Sequence, residues 1–130
     1  MDYTSYQSLI RPSWAPPSWL FGPVWAFLYI LIFISFGFVF YKFLKKKISF
    51  KTALPFFLNL LFNFAFTPIQ FGLKNLSLAS IDILLVFFTL LWSIFIIFPK
   101  FRWVSIINIP YLLWVSFATV LQLTVFFLNF

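Results

Sequence analysis

Apolar and polar positions alternate along this chain in long blocks. Four apolar runs cover about 20–41, 52–71, 78–98 and 104–129, separated by short polar breaks. At 1.5 Å per residue each run reaches roughly 30 Å, the thickness of a bilayer's hydrocarbon core. Lipid offers no partner for free backbone groups, so each run is expected to be a helix. The breaks, at 42–51, 72–77 and 99–103, are short, which makes consecutive helices antiparallel neighbours. The pattern therefore predicts an all-α membrane protein with four transmembrane helices in a compact up-down bundle. A single transmembrane domain spans residues 1–130, and residues 1–19 form a Trp/Pro segment ahead of the first helix.

Composition agrees with this. The chain is 64% hydrophobic and 8% charged, more apolar than a soluble domain of this size can bury. Its nine Lys and Arg face only two Asp. Lys42, Lys45, Lys46, Lys47, Lys51, Lys100 and Arg102 fall at one end of the predicted bundle, and Arg11, Lys74 and Asp2 at the other. The positive-inside rule puts the seven-cation end in the cytoplasm. Both termini and the Trp/Pro segment then lie outside a bacterial or archaeal plasma membrane. The net charge of +7 is thus topological, and no nucleic-acid partner is expected. No signal peptide is visible, because the first nineteen residues lack an apolar h-region and a cleavage site.

Cys, His and Glu are all absent. This removes disulfides, the usual zinc sites, Ser-His-Asp triads and paired-Glu hydrolysis. No metal site, catalytic residue or covalently bound cofactor is expected. A porphyrin or haem would have to bind without His or Cys ligation.

The densest local signal is Arg11-Pro12-Ser13-Trp14-Ala15-Pro16-Pro17-Ser18-Trp19-Leu20-Phe21-Gly22-Pro23-Val24-Trp25. Proline fixes φ and stiffens the segment, and Trp supplies rigid amphipathic surface. It reads either as an interfacial aromatic belt or as a lid over a site for a flat apolar ligand. Within the runs, Asn59 and Asn63 share one helix face, as interhelical glue or as a ligand contact. Pro68, one turn on, should bend or end that helix. Asp82 is the sole intramembrane acid; it is a functional candidate by position or a structural group favoured by a helix N-terminus. Pro110 interrupts the last run. Trp114, Ala118 and Leu121 form one stripe beyond it, flanked by Tyr111 and Gln122, and Trp25, Leu28, Tyr29 and Ile32 form another on the first helix.

These motifs resemble the tryptophan-rich sensory protein and translocator protein family, the peripheral benzodiazepine receptors. Residues 11–25 carry its Trp/Pro signature, and Pro110-Tyr111-Leu112-Leu113-Trp114-Val115-Ser116-Phe117-Ala118-Thr119 is similar to its last-helix motif. Asn63, Pro68, Phe71, Gly72 and the run from Leu78 to Leu85 resemble its middle helices. The resemblance implies a five-helix bundle, commonly a homodimer, that binds porphyrins and in some members sterols. It implies a pocket walled by Trp25, Trp114, Ala118 and Leu121, with Trp14 and Trp19 in the lid and Asn63 deeper. Propionates would meet Arg11 or Lys74. Set against the family, residues 1–19 match only the loop after its opening helix, so a bundle lacking that helix is expected. Phe64 and Phe66 stand where Trp is usual, and Leu78 where some members have Trp. The tail 118–130 has no Tyr, Lys or Arg, so the weak sterol pattern is absent and sterol ranks below porphyrin.

The reading is an integral membrane receptor or sensor for a hydrophobic planar ligand, a porphyrin before others, with membrane lipids as its surroundings. The alternatives are a light-dependent porphyrin-degrading enzyme using Trp25 and Trp114 as electron donors, and a small-molecule or lipid transporter using Asp82.

Overall fold

The computed structural model describes residues 13–15, 18–69 and 75–129. Among them there is no strand. A 3-10 turn over Ser18–Leu20 runs directly into α1 (Phe21–Leu44), followed by α2 (Phe50–Thr67), α3 (Leu76–Ile97), the short α4 (Arg102–Ile107) and α5 (Ile109–Asn129). The all-α bundle read from the sequence is therefore present. Its helix limits lie close to the predicted ones except at the last run, which is divided.

Proline, caps and one left-handed residue set these limits. Pro23 lies in the first turn of α1, where its missing N–H has no intrahelical partner to lose. Lys46 adopts φ 61° at the other end. The Lys47 N–H reaches the Lys42 carbonyl at 2.9 Å and the Lys46 N–H the Phe43 carbonyl at 3.0 Å. This is a Schellman closure with lysine where glycine is usual, at a cost of about 1 kcal/mol. Ser49 caps α2 by accepting from the Thr52 N–H at 3.3 Å, and Asn75 caps α3 by accepting from the Leu78 N–H at 2.9 Å. The α-helical part of α2 ends at Thr67, and Pro68, with φ −63° and ψ −32°, carries the chain into a wider turn that includes Ile69. Pro110 cannot donate to Ile106, and its ring crowds that carbonyl. The last run accordingly breaks at Asn108, whose N–H turns to the Ser105 carbonyl at 3.2 Å.

Helix α3 is the central element, packed mainly against α2 on one side and α5 on the other. Helix α1 lies against α2 and α4. The main core interleaves Leu28, Ile32 and Phe36 of α1, Phe56 of α2, Val86 and Leu90 of α3, and Tyr111 and Val115 of α5. Fully buried Ala53 and Ala79 supply the small side chains that let neighbouring helices approach. Large apolar side chains such as Phe33, Leu44, Phe95 and Phe127 point outward and are mostly exposed; water would penalise such a surface and lipid accepts it. Three helical stretches, Phe21–Leu44, Ser77–Ile97 and Arg102–Asn129, are long and apolar enough to cross a membrane. The second predicted span is the shorter apolar helix Phe50–Phe66, which carries Lys51, Asn59 and Asn63.

Candidate ligand-binding site

Two layers meet where α1 and α5 come together. The outer layer is aromatic. Trp25 lies one turn after Phe21 on α1, and both packing surfaces turn toward α5. Phe21 meets Trp114 edge-on with ring centres 5.9 Å apart. Trp114 leans on Phe117 at 5.5 Å, and Trp14, from the segment ahead of α1, meets Phe117 edge-on at 5.9 Å. Leu121 and Val125 are buried beside Phe21, with Ala15, Trp25, Trp114 and Phe117 packed around them. Trp25 also faces the inner layer, 5.6 Å from the Tyr29 ring and 6.3 Å from that of Tyr111. Such pairs contribute about 0.5–1.5 kcal/mol each beyond area burial.

The inner layer is a hydrogen-bond chain across four helices. The Tyr29 hydroxyl donates to Asn63 Oδ1 at 2.9 Å. Asn63 Nδ2 donates to the Tyr111 hydroxyl at 2.7 Å, and Tyr111 donates onward to Asn59 Oδ1 at 2.8 Å. Asn59 Nδ2 then donates to the Val86 carbonyl at 2.9 Å and to Thr89 Oγ1 at 3.1 Å. The chain ends where Thr89 Oγ1 donates to the Leu85 carbonyl at 2.7 Å. Each member from Asn63 to Thr89 both donates and accepts, so buried polarity is matched. A second, shorter set lies at the α4–α5 break. Asn108 Nδ2 donates to Ser35 Oγ at 3.0 Å and to the Val104 carbonyl at 2.8 Å, and Ser105 Oγ donates to the Ile94 carbonyl at 2.6 Å.

Three groups stand outside this matching. Among the described residues, no acceptor lies within hydrogen-bond reach of the buried Trp114 Nε1, and no donor reaches Asp82 Oδ2 or Asn108 Oδ1. Asp82 is 6% exposed and occupies the α3 stripe that continues through Val86 and Thr89. No group of three or more metal-ligating side chains occurs among the described residues.

The structure thus gathers Trp14, Trp25, Trp114 and Leu121 into one aromatic cluster, with Asn63 beneath it in the polar chain. Ala118 follows Trp114 by one turn and is partly exposed. Trp19 is 70% exposed. Arg11 and Lys74, named for propionate contacts, and Phe71 and Gly72, named for the resemblance, lie outside the described residues. Phe21 and Phe117 join the site beside Tyr29, a member of the Trp25 stripe, and helical spacing carries the signal for all three. Phe21 and Tyr29 flank Trp25 at i−4 and i+4, and Phe117 follows Trp114 at i+3. Tyr111 was named only as a flank of the Trp114 stripe, and its central place between two asparagines needed the relative rotation of α2 and α5.

Comparison with known proteins places the chain in a family. The chain is 40% identical to the tryptophan-rich protein TspO of Bacillus cereus over 131 aligned positions, covering 99% of this chain and 83% of that protein. It is 38% identical to the human translocator protein over 86 positions, 62% of this chain and 48% of the human one. The CrtK protein of Rhodobacter capsulatus is 33% identical over 95 positions, 68% of this chain and 59% of CrtK. The sequence model of the TspO/MBR family matches residues 1–128, and this membrane protein belongs to the TspO/MBR family.

Proposed function

We propose that the chain is a membrane receptor for a hydrophobic planar ligand, with a tetrapyrrole as the leading class. The observation that carries this reading is the convergence of Trp25 and Trp114, from helices far apart in sequence, around Phe21 and beneath Trp14. A macrocycle entering between these rings would exchange aromatic contacts within the protein for stacking on its own faces. The unpartnered Trp114 Nε1 would donate to an acceptor carried by the ligand. With no His or Cys in the chain, affinity would rest on stacking and on cations near the lid. In this reading residues 1–19 act as the lid, both termini are extracytoplasmic, and the lysine-rich end faces the cytoplasm of a plasma membrane.

The test is a protoporphyrin IX titration of the purified protein. Trp25→Ala combined with Trp114→Ala should weaken binding at least tenfold, and unchanged affinity in the double variant would sink the reading. One observation favours a second reading, light-driven porphyrin breakdown. Trp25 lies 6.3 Å from the ring of Tyr111, and could draw on it after giving an electron to an excited macrocycle. Illumination of the complex should then yield a new chromophore that Trp25→Phe cannot form; identical spectra for the two proteins would rule this out.

A further inference from the structure

The lysine-rich end of the bundle is built as a site. Its cations come from two stretches far apart in sequence, the α1–α2 turn and the link into α4. Aromatic packing joins them. Phe38, nearly two turns from the end of α1, meets Phe101 edge-on at 4.9 Å and Trp103 at 4.8 Å. Lys42 Nζ sits over both Phe38, at 5.4 Å, and Phe101, at 5.8 Å. Its ammonium thereby ties the end of α1, which leads into Lys45, Lys46 and Lys47, to Phe101, whose chain neighbours are Lys100 and Arg102. Arg102 is held in turn over Phe98 at 5.2 Å. Cation–π contacts of this kind fix a charge without neutralising it.

Two further observations point to an anionic occupant. Among the described residues the only acid is Asp82, in the opposite half of α3, so no carboxylate of the described chain balances this rim. Lys46 moreover holds the left-handed position of the Schellman turn, where glycine would relieve the backbone; a strained non-glycine residue at such a place points to a use for its side chain. The surroundings identify the kind of anion. Leu44, Phe50 and Trp103 stand exposed next to the cations, so the rim offers cationic heads directly beside an apolar surface at interface depth. A phospholipid matches both, placing its phosphate among the cations and its chains along the apolar side.

We propose that Lys42, Lys46, Lys100 and Arg102, on the two stretches that the Phe38–Phe101 contact brings together, bind the phosphate of an anionic membrane phospholipid. The site is independent of the ligand assigned to the Trp25–Trp114 cluster. The test uses the whole protein in phosphatidylcholine nanodiscs containing a small fraction of dibrominated phosphatidylglycerol or, separately, dibrominated phosphatidylcholine. The reporter is quenching of Trp103, taken as the difference from Trp103→Phe. Phosphatidylglycerol should quench more strongly at equal fraction. The preference should fall about tenfold in Lys42→Gln and likewise in Arg102→Gln, the effect of losing one charge-assisted hydrogen bond to the phosphate. Lys46→Gly should also reduce it while making the fold no less stable, which separates loss of the site from loss of structure. Equal quenching by the two lipids would overturn the proposal. So would an equal loss in Lys51→Gln, a cation of the same rim outside that set of four, because that result means diffuse attraction to net charge.

Discussion

Replacing Tyr111 by Phe removes one oxygen from the centre of the bundle and leaves its ring contacts with Trp25 and Phe36 in place. Two hydrogen bonds are lost, the one accepted from Asn63 Nδ2 and the one donated to Asn59 Oδ1. Asn63 keeps its bond from Tyr29, and Asn59 keeps those to Val86 and Thr89. In water-soluble proteins each orphaned buried group costs about 1–3 kcal/mol. Cross-helix bonds within membranes average about 0.6 kcal/mol and reach about 1.7, because the unfolded chain in lipid also finds partners. Two such bonds therefore place the loss between about 1 and 3 kcal/mol. The assay is dodecylsulfate unfolding from mixed micelles, followed by far-UV circular dichroism. Asn59→Ala alone and combined with Tyr111→Phe completes a double-mutant cycle, in which the two changes should be less than additive. A Tyr111→Phe protein within about 0.3 kcal/mol of the parent, or strict additivity with Asn59→Ala, would refute a connected chain.

Other changes follow from the same geometry. Asp82→Asn should leave the protein at least as stable in that unfolding assay, since a buried carboxylate oxygen without a donor is a liability when charged; a marked loss of stability would mean that the charge has a partner. Trp14→Ala removes the edge contact with Phe117 and should weaken porphyrin binding by about two- to tenfold without lowering stability, as one aromatic pair allows. Asn108→Leu breaks the bonds to Ser35 and Val104 and should cost about 1–2 kcal/mol, measured as above.

The extent to which this was legible in sequence differs by scale. Helix number and most boundaries followed from apolar run length, because lipid permits few alternatives to a helix. The caps at Ser49 and Asn75 start their helices at Phe50 and Leu76, two residues before the apolar runs begin, because polar capping chemistry leaves no mark in apolar run length. The break at Asn108 was only partly visible. Pro110 marked an interruption, but the turn falls two residues earlier because the crowded carbonyl lies upstream of the ring. Trp25 and Trp114 were legible as residues, while their approach through Phe21 depends on how α1 and α5 are rotated. Asn59 and Asn63 were legible as a pair. Their partners Tyr29, Tyr111 and Thr89 lie on three other helices, and helical periodicity within one element carries no information about its neighbour's register. The seating of Lys42 over Phe101 was hidden for the same reason.

The central claim, that a planar ligand lodges among Trp14, Trp25 and Trp114, is tested most directly by fluorine NMR. The protein would be labelled with 5-fluorotryptophan, its six resonances assigned by single Trp→Phe variants, and metal-free protoporphyrin IX titrated in. The account predicts saturable shifts at Trp14, Trp25 and Trp114, with Trp19, Trp92 and Trp103 unmoved. Saturable shifts confined to the latter three, or drift at all six without saturation, would contradict it.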